Sequence, residues 1–323
     1  MSAATFQVLL TGRIDADERA AWLAALRFAA PDCNWWSDDD GEVPREAIAA
    51  AVVANPAPGS LQGLPRLRLV QSLWAGVDKL LADVTLPLQV PLARMVDPTM
   101  NTAMAETALW AVLSLQRGFF DYAAQQQARE WRQQAQFRAD EVSVLVLGLG
   151  QMGATVATRL AAQGYRVSAW RATHSDRPVP AVVAVHAVHA GDDALAALLP
   201  EANIVVNLLP LTPSTRGLLD ARFFAALPRG ASLVNLARGA QVVDGDLLAA
   251  LDSGHLYRAV LDAFDPEPLP LDHRYWQHPS VTVLPHVAAL TDVRSATQVV
   301  VANLRALREG TALLHLVDRA RGY

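Results

Sequence analysis

Four side chains in the second half of this chain have the makings of a catalytic set: Arg238, Asp262, Glu267 and His286. Arg238, Asp262 and His286 each stand just past an apolar run, and Glu267 follows in the loop after Asp262. If those runs are parallel strands, their ends face one edge of one sheet, and groups spread over about fifty positions meet there. A forked guanidinium holds a carboxylate and a neighbouring carbonyl oxygen in a way Lys cannot copy. It also stabilises negative charge growing on that oxygen. An imidazole titrates in the useful range and can hand a proton over. A carboxylate beside it favours the imidazolium and fixes the ring. With a hydride donor at hand, such a set reduces a 2-keto acid. Singly, each residue reads as a loop histidine, a solvated acid or a surface salt bridge; only their convergence raises them.

A seat for the hydride donor lies upstream. Val142–Leu147 is a β-branched run that breaks at Gly148-Leu-Gly-Gln-Met-Gly153, and a helical pattern follows from Ala154 to Gln163. Strand, tight turn and helix are the context that makes GxGxxG informative. Gly148 allows the turn, Gly150 lets the backbone approach a pyrophosphate, and Gly153 lets helix and strand pack closely. N–H groups at the helix start, around Gln151 and Met152, then face the phosphates. The plainer reading is a structural glycine turn.

The elements that position these groups alternate strand and helix. Strands are predicted at Ile204–Leu208, Ser232–Leu236, Ala259–Leu261 and Val281–Leu284. Between them come a helix over Leu219–Leu227 and one capped by Asp244 and running through Leu251. Upstream, strands are predicted at Phe6–Leu10, Ala51–Ala54, Leu67–Ser72 and Val90–Met95, with a helix after Asp15 and loops over Asp32–Pro44 and Arg171–Pro180. The third of these strands runs into Leu73-Trp-Ala-Gly-Val-Asp78, a ligand-contact position in open α/β sheets. Trp74 has packing as its alternative. Thr99 to about Gln136 reads as two helices broken near Gly118. The face of Met104, Ala108, Ala111 and Leu115 is apolar, and Trp110, Phe119, Phe120 and Trp131 add large surface, so packing on another element or on a second subunit, and with it a homodimer, is expected. A last helix over Asp292–Arg308 returns to the first domain. The fold class is α/β with two doubly wound parallel-sheet domains. A substrate domain covers 1–98 and 290–323, and a Rossmann dinucleotide-binding domain covers 99–289.

Bulk properties agree with an enzyme of small molecules. The 323 residues suffice for two cores, and 52% are apolar. A net charge of −5 without a basic run argues against nucleic acid. The charge-free stretch Val142–Thr158 is interrupted by glycines and reads as a buried βα unit, not a membrane span. The N-terminal residues lack a secretory pattern, and Cys33, the lone cysteine, has no intrachain partner, which fits a reducing cytoplasm. No residue cluster predicts a metal.

Gly148–Gly153, Asn207-Leu-Leu-Pro-Leu-Thr-Pro213, Asn235-Leu-Ala-Arg-Gly239, Leu261-Asp-Ala-Phe-Asp-Pro-Glu-Pro-Leu269 and Leu284-Pro-His-Val-Ala288 occur in this order. Together they resemble the D-isomer specific 2-hydroxyacid dehydrogenases, over most of the chain from Trp74 onward. The resemblance implies two domains, the substrate domain flavodoxin-like, and Arg238, Glu267 and His286 as catalytic residues. It implies that Ala75–Val77 offer N–H groups to a substrate carboxylate, with Leu73, Trp74, Ala75, Gly76, Arg238 and His286 around the substrate. Asp262 would lie near the nicotinamide amide. Leu209, Pro210, Leu236, Ala237, Arg238, His286 and Ala288 would line the cofactor, beside Gly148, Gly150, Gln151, Met152 and Gly153. Pro285–Ala289 and the ending Val317–Tyr323 are most similar to the glyoxylate/hydroxypyruvate reductase A branch.

One departure bears on the cofactor. NAD enzymes usually end the second strand in an acid that binds the ribose hydroxyls. Here Tyr165–Trp170 leads into Arg171-Ala-Thr-His174, and no carboxylate follows until Asp176. Arg171, next to Trp170, can pair with a 2′-phosphate and stack on adenine, so NADPH is expected over NADH. Small Ala75 and Gly76 beside bulky Leu73 and Trp74 suit glyoxylate or hydroxypyruvate. Other readings are a phosphoglycerate or longer-chain 2-keto acid reductase, and a nucleotide-sensing corepressor without catalysis.

Overall fold

Residues 6–172 and 187–323 are described by the computed structural model. They fall into two units, one running to Thr99 and resuming at Thr291, the other spanning Met100–Leu290. In the first unit, β1 (Phe6–Gly12), α1 (Ala16–Ala29), β2 (Cys33–Ser37), β3 (Ile48–Ala54), β4 (Leu69–Ser72), α2 (Asp78–Leu81) and β5 (Leu92–Ala93) follow in turn. The strands form one parallel sheet in the order β2-β1-β3-β4-β5. β3 is apolar on both faces and almost wholly buried, as a strand covered on both sides must be. The last helix, α9 (Val293–Glu309), belongs to this unit, and its buried Asn303 donates from Nδ2 to Gln71 Oε1 at 2.7 Å.

The second unit opens with α3 (Pro98–Arg117), whose first residues belong to the other unit, and α4 (Phe119–Ala128). β6 (Ser143–Leu147), α5 (Gln151–Ala162), β7 (Arg166–Arg171), β8 (Ala187–Ala190), α6 (Asp192–Leu198) and β9 (Ile204–Asn207) follow. Then come α7 (Ala221–Ala226), β10 (Ala231–Asn235), α8 (Asp244–Asp252), β11 (Leu256–Leu261) and β12 (Val281–Val283). The sheet is parallel, in the order β12-β11-β10-β9-β6-β7-β8. The chain builds outward from β6 in one direction and then restarts beside it with β9. The carboxyl ends of β6 and β9 therefore flank a topological switch point, where such sheets hold ligands. β6 alternates between two cores: Val144 and Val146 meet Ala108, Ala111 and Leu160, whereas Leu145 and Leu147 belong with Phe224, Leu247 and Leu251.

Several boundaries differ from expectation. Asp32–Pro44 is not all loop, because β2 lies inside it, with Cys33, Trp35 and Ser37 buried in alternation. The acidic run after Ser37 hides a short strand with the right period. The helical pattern to Gln136 stops at Ala128. Arg129 is left-handed at φ 58°, and Glu130 N–H reaches back to Gln125 O at 2.9 Å, a Schellman-type ending. β5 is shorter than Val90–Met95 because Pro91 has no N–H to give to a ladder. Asp244 lies in the first turn of α8, not at its cap, and its carboxylate accepts from Tyr275 Oη at 2.8 Å. The face of Met104, Ala108, Ala111 and Leu115 packs on this unit's own core, the first of its two expected partners. β8 and α6 were not anticipated. Thr173, His174 and Asp176, with the rest of that loop to Pro180, lie outside the described residues.

Candidate active site

The glycine turn shows three different steric demands. Gly148 sits at φ 96°, and a Cβ there would come within 2.8 Å of Leu208 O. A Cβ on Gly153 would lie 1.9 Å from Gly148 O, so helix and turn touch backbone to backbone. A Cβ on Gly150 would meet nothing within 4 Å. Gly150 is the N-cap of α5 and brings no side chain to its free N–H groups. Open space above uncapped donors, with crowding on both sides of it, fits a pyrophosphate at this helix start. Gln151 is exposed and Met152 half-buried on the first turn. β7 ends in Trp170, buried and donating from Nε1 to Gly191 O at 2.9 Å, and half-buried Arg171.

Three neighbouring strands deliver the polar groups. β10, β11 and β12 pair in register, Asn235 opposite Leu261 and Leu261 opposite Val283. Arg238, Asp262 and His286 thus leave the same sheet edge from adjacent strands. Leu236 and Ala237 are buried, and Arg238 is half-buried, with Nη1 donating to Ala237 O at 2.8 Å. Gly239 must lack a side chain, because its Cβ would fall 2.0 Å from the Phe264 carbonyl carbon. The turn carrying Arg238 therefore lies directly on the segment that leads to Glu267.

Glu267 Oε1 accepts from Phe264 N–H at 3.0 Å and lies 3.0 Å from His286 Nδ1. The carboxylate is thus aimed by the backbone before it meets the ring. The His286 side chain is 49% exposed. His286 has φ 56°, a left-handed conformation that costs a non-glycine residue about 1–3 kcal/mol. Asp262 explains why it persists: the carboxylate accepts Val287 N–H at 2.7 Å and Ala288 N–H at 3.0 Å, locking the turn just past the histidine. Burial pushes the Asp262 carboxyl above its ordinary range, opposed by those two N–H groups. Asp262 is 2% exposed, and both its oxygens serve this turn.

In the first unit, Leu73 is fully buried and donates its N–H to Val53 O at 2.8 Å, whereas Trp74, Ala75 and Gly76 are partly exposed. Ser72 Oγ braces the turn through Trp74 N and O, both at 3.0 Å. Of the expected substrate contacts in this stretch, Leu73 alone offers no free surface. In the second unit, Leu209 is buried and Pro210 half-buried beyond β9.

Sequence reasoning passed over Asn207, Asn235 and Gln241, which are buried and bonded to one another around Arg238. The available signal was an amide side chain closing each of two successive apolar runs.

Comparisons with known proteins identify the family. Residues 109–288 match the family described as D-isomer specific 2-hydroxyacid dehydrogenase, NAD binding domain. Glyoxylate/hydroxypyruvate reductase A of Serratia proteamaculans (strain 568) is 39% identical over 310 residues, 94% of this chain and 96% of that protein. A D-isomer specific 2-hydroxyacid dehydrogenase of Xanthobacter autotrophicus Py2, solved with NADPH and MES, superposes with a TM-score of 0.92 at 38% identity, covering 99% of this chain and all (100%) of its own. The NADPH-dependent glyoxylate/hydroxypyruvate reductase of Sinorhizobium meliloti, solved with NADP and sulfate, gives 0.89 at 35% identity, covering 98% and 100%. With a glycine turn that fits a dinucleotide and an Arg, a Glu and a His on one stretch of sheet edge, the chain belongs to the D-isomer specific 2-hydroxyacid dehydrogenase family.

Proposed function

We propose that this protein uses NADPH to reduce small 2-keto acids, hydroxypyruvate to its D-2-hydroxy acid and glyoxylate to the achiral glycolate. The observation that carries the reading is the 3.0 Å contact between Glu267 Oε1 and His286 Nδ1, on a histidine whose side chain is half exposed. The names of the Serratia and Sinorhizobium relatives support the substrate class. Arg171 at the end of β7 supports the phosphorylated coenzyme, as do the NADPH and NADP complexes of relatives.

A bound nicotinamide supplies the hydride. Gly148–Gly153 and the start of α5 hold the pyrophosphate. Arg238 grips the keto-acid oxygens and stabilises charge developing on the carbonyl. His286 delivers the proton to that oxygen from Nε2, while Glu267 holds Nδ1 and so orients the ring. Asp262 keeps the histidine turn in place. The Ala75–Val77 loop, with Trp74, is assigned to the substrate carboxylate. Exposed Trp110, Phe119, Trp131 and Phe137 support a homodimer. A cytoplasmic location fits the lone Cys33.

Steady-state assays of glyoxylate, hydroxypyruvate and pyruvate with each reduced coenzyme test the proposal. Turnover of the first two with NADPH is expected; equal efficiency with NADH would remove the coenzyme assignment.

A further inference from the structure

Three amide side chains lie together under Arg238, and no catalytic step above uses them. Asn207 and Asn235 are fully buried, and Gln241 is 1% exposed. Asn207 closes β9, Asn235 closes β10, and Gln241 ends the short turn after Arg238. Their bonds leave little unused. Gln241 Oε1 accepts from Arg238 N–H at 3.2 Å and from Asn207 Nδ2 at 2.8 Å. Gln241 Nε2 donates to Leu209 O at 3.2 Å and Pro210 O at 3.1 Å. Asn207 Nδ2 also donates to Asn235 Oδ1 at 2.9 Å, and Asn207 Oδ1 accepts from Leu209 N–H at 3.2 Å. Asn235 Nδ2 donates to Arg238 O at 3.1 Å, and its Oδ1 accepts from Ala237 N–H at 3.3 Å.

Both backbone groups of Arg238 are therefore held by side chains, its N–H by Gln241 and its carbonyl by Asn235. The same Gln241 ties that grip to the two carbonyls beyond β9. Apolar residues could fill this space without the risk of unpaired buried amides. A fully paired amide cluster instead fixes one geometry, because any shift of the Arg238 turn breaks several bonds at once.

We propose that Gln241, with Asn207 and Asn235, is a positioning residue for the reduction: it seats Arg238 and couples that seat to the Leu209–Pro210 loop. The inference rests on the proposed role of Arg238.

The test is a double-mutant cycle with Gln241→Met, which keeps length and removes the amide, and Arg238→Gln, read as hydroxypyruvate reduction with NADPH. With Arg238 present, Gln241→Met is expected to lower kcat by about tenfold to a hundredfold, the scale of a small misplacement at a reacting centre. NADPH affinity, from fluorescence titration, should stay within about fivefold, since Arg238 is set to act on the keto acid. In the Arg238→Gln background the same change should cost less than about twofold, because its effect runs through the absent guanidinium. A purely structural role would lower the melting temperature and leave kcat of the folded enzyme unchanged; that result overturns the proposal, as does an equal loss in both backgrounds. If the methionine variant does not fold, the milder Gln241→Asn is read instead: it keeps an amide but, one methylene shorter, draws it away from Arg238 N–H and from the Leu209 and Pro210 carbonyls. It should lower kcat by about tenfold with NADPH affinity held within about fivefold, and a kcat within about twofold of the parent would contradict the proposal. Full activity in Arg238→Gln alone would instead overturn the role of Arg238, and the inference with it.

Discussion

His286 is held from two sides, by Glu267 at its Nδ1 and by Asp262 through the two residues that follow it. Removing the proton donor while keeping the turn, as in His286→Asn, should lower kcat by about 10²–10⁴-fold with NADPH binding retained, measured by steady-state kinetics and fluorescence titration. Glu267→Gln keeps a polar contact to Nδ1 without the charge, so its kcat loss should be smaller. Equal losses in the two variants would show that Glu267 does more than orient the ring. Arg171→Asp should shift coenzyme preference toward NADH, read as the ratio of kcat/KM values; an unchanged ratio would move the 2′-phosphate contact elsewhere. Arg238 and His286 were legible because a charged or titratable group right after an apolar run stands out, and Glu267 only through its place in the loop after Asp262. The bonds of Asp262 to Val287 and Ala288 were not, because nothing in a sequence pairs positions so far apart. Gln241 was unreadable for another reason: an uncharged amide in a polar turn looks like surface until its burial is known.

Among the elements, the unit of β6, the glycine turn and α5 was read correctly from the switch between apolar run and helical pattern. Its contacts make Gly153→Ala severe. The added Cβ meets backbone, which cannot swing aside, so a loss of about 1–3 kcal/mol or more is expected, measured by denaturant unfolding. Gly150→Ala has room in the structure and should fold normally but bind coenzyme more weakly. The start of α9 makes a pH prediction. Asp292 accepts from Arg294 N–H at 2.8 Å, and the hydrogen-bonded Arg294 guanidinium, ahead of the backbone contact, draws its carboxyl down to about 2. A depressed carboxyl adds stability above its unfolded pKa of 3.8 and loses it as pH falls toward 2. The melting-temperature gap between the parent and Asp292→Asn should therefore be full near neutrality and close between about pH 4 and pH 2. A gap that is unchanged in acid would refute the pairing. β2 and the end of α4 were misread because local composition, acidic after Ser37 and Gln-rich before Arg129, competed with burial and with a left-handed stop. The residues just after Arg171 offered no period to read at all.

For the molecule as a whole, strand–helix alternation was enough to announce parallel sheets, because a parallel neighbour needs a crossover. Alternation does not specify which face of α3 is covered and by what. Of the two partners open to the face of Met104, Ala108, Ala111 and Leu115, another element or a second subunit, it takes the first, while Trp110 and Trp131 stay exposed. The proposed homodimer accordingly rests on those aromatics, and light scattering should return twice the chain mass; a monomer would withdraw it. The central claim is that this chain moves a hydride onto the carbonyl carbon of a small 2-keto acid. The direct measurement is reduction of hydroxypyruvate by NADPH carrying deuterium at the transferable nicotinamide position, with the product analysed by mass and by chiral separation. The account predicts a D-configured hydroxy acid with deuterium on the carbon that bears the new hydroxyl. A product without deuterium, an L-configured product, or no turnover by protein that binds NADPH would contradict it.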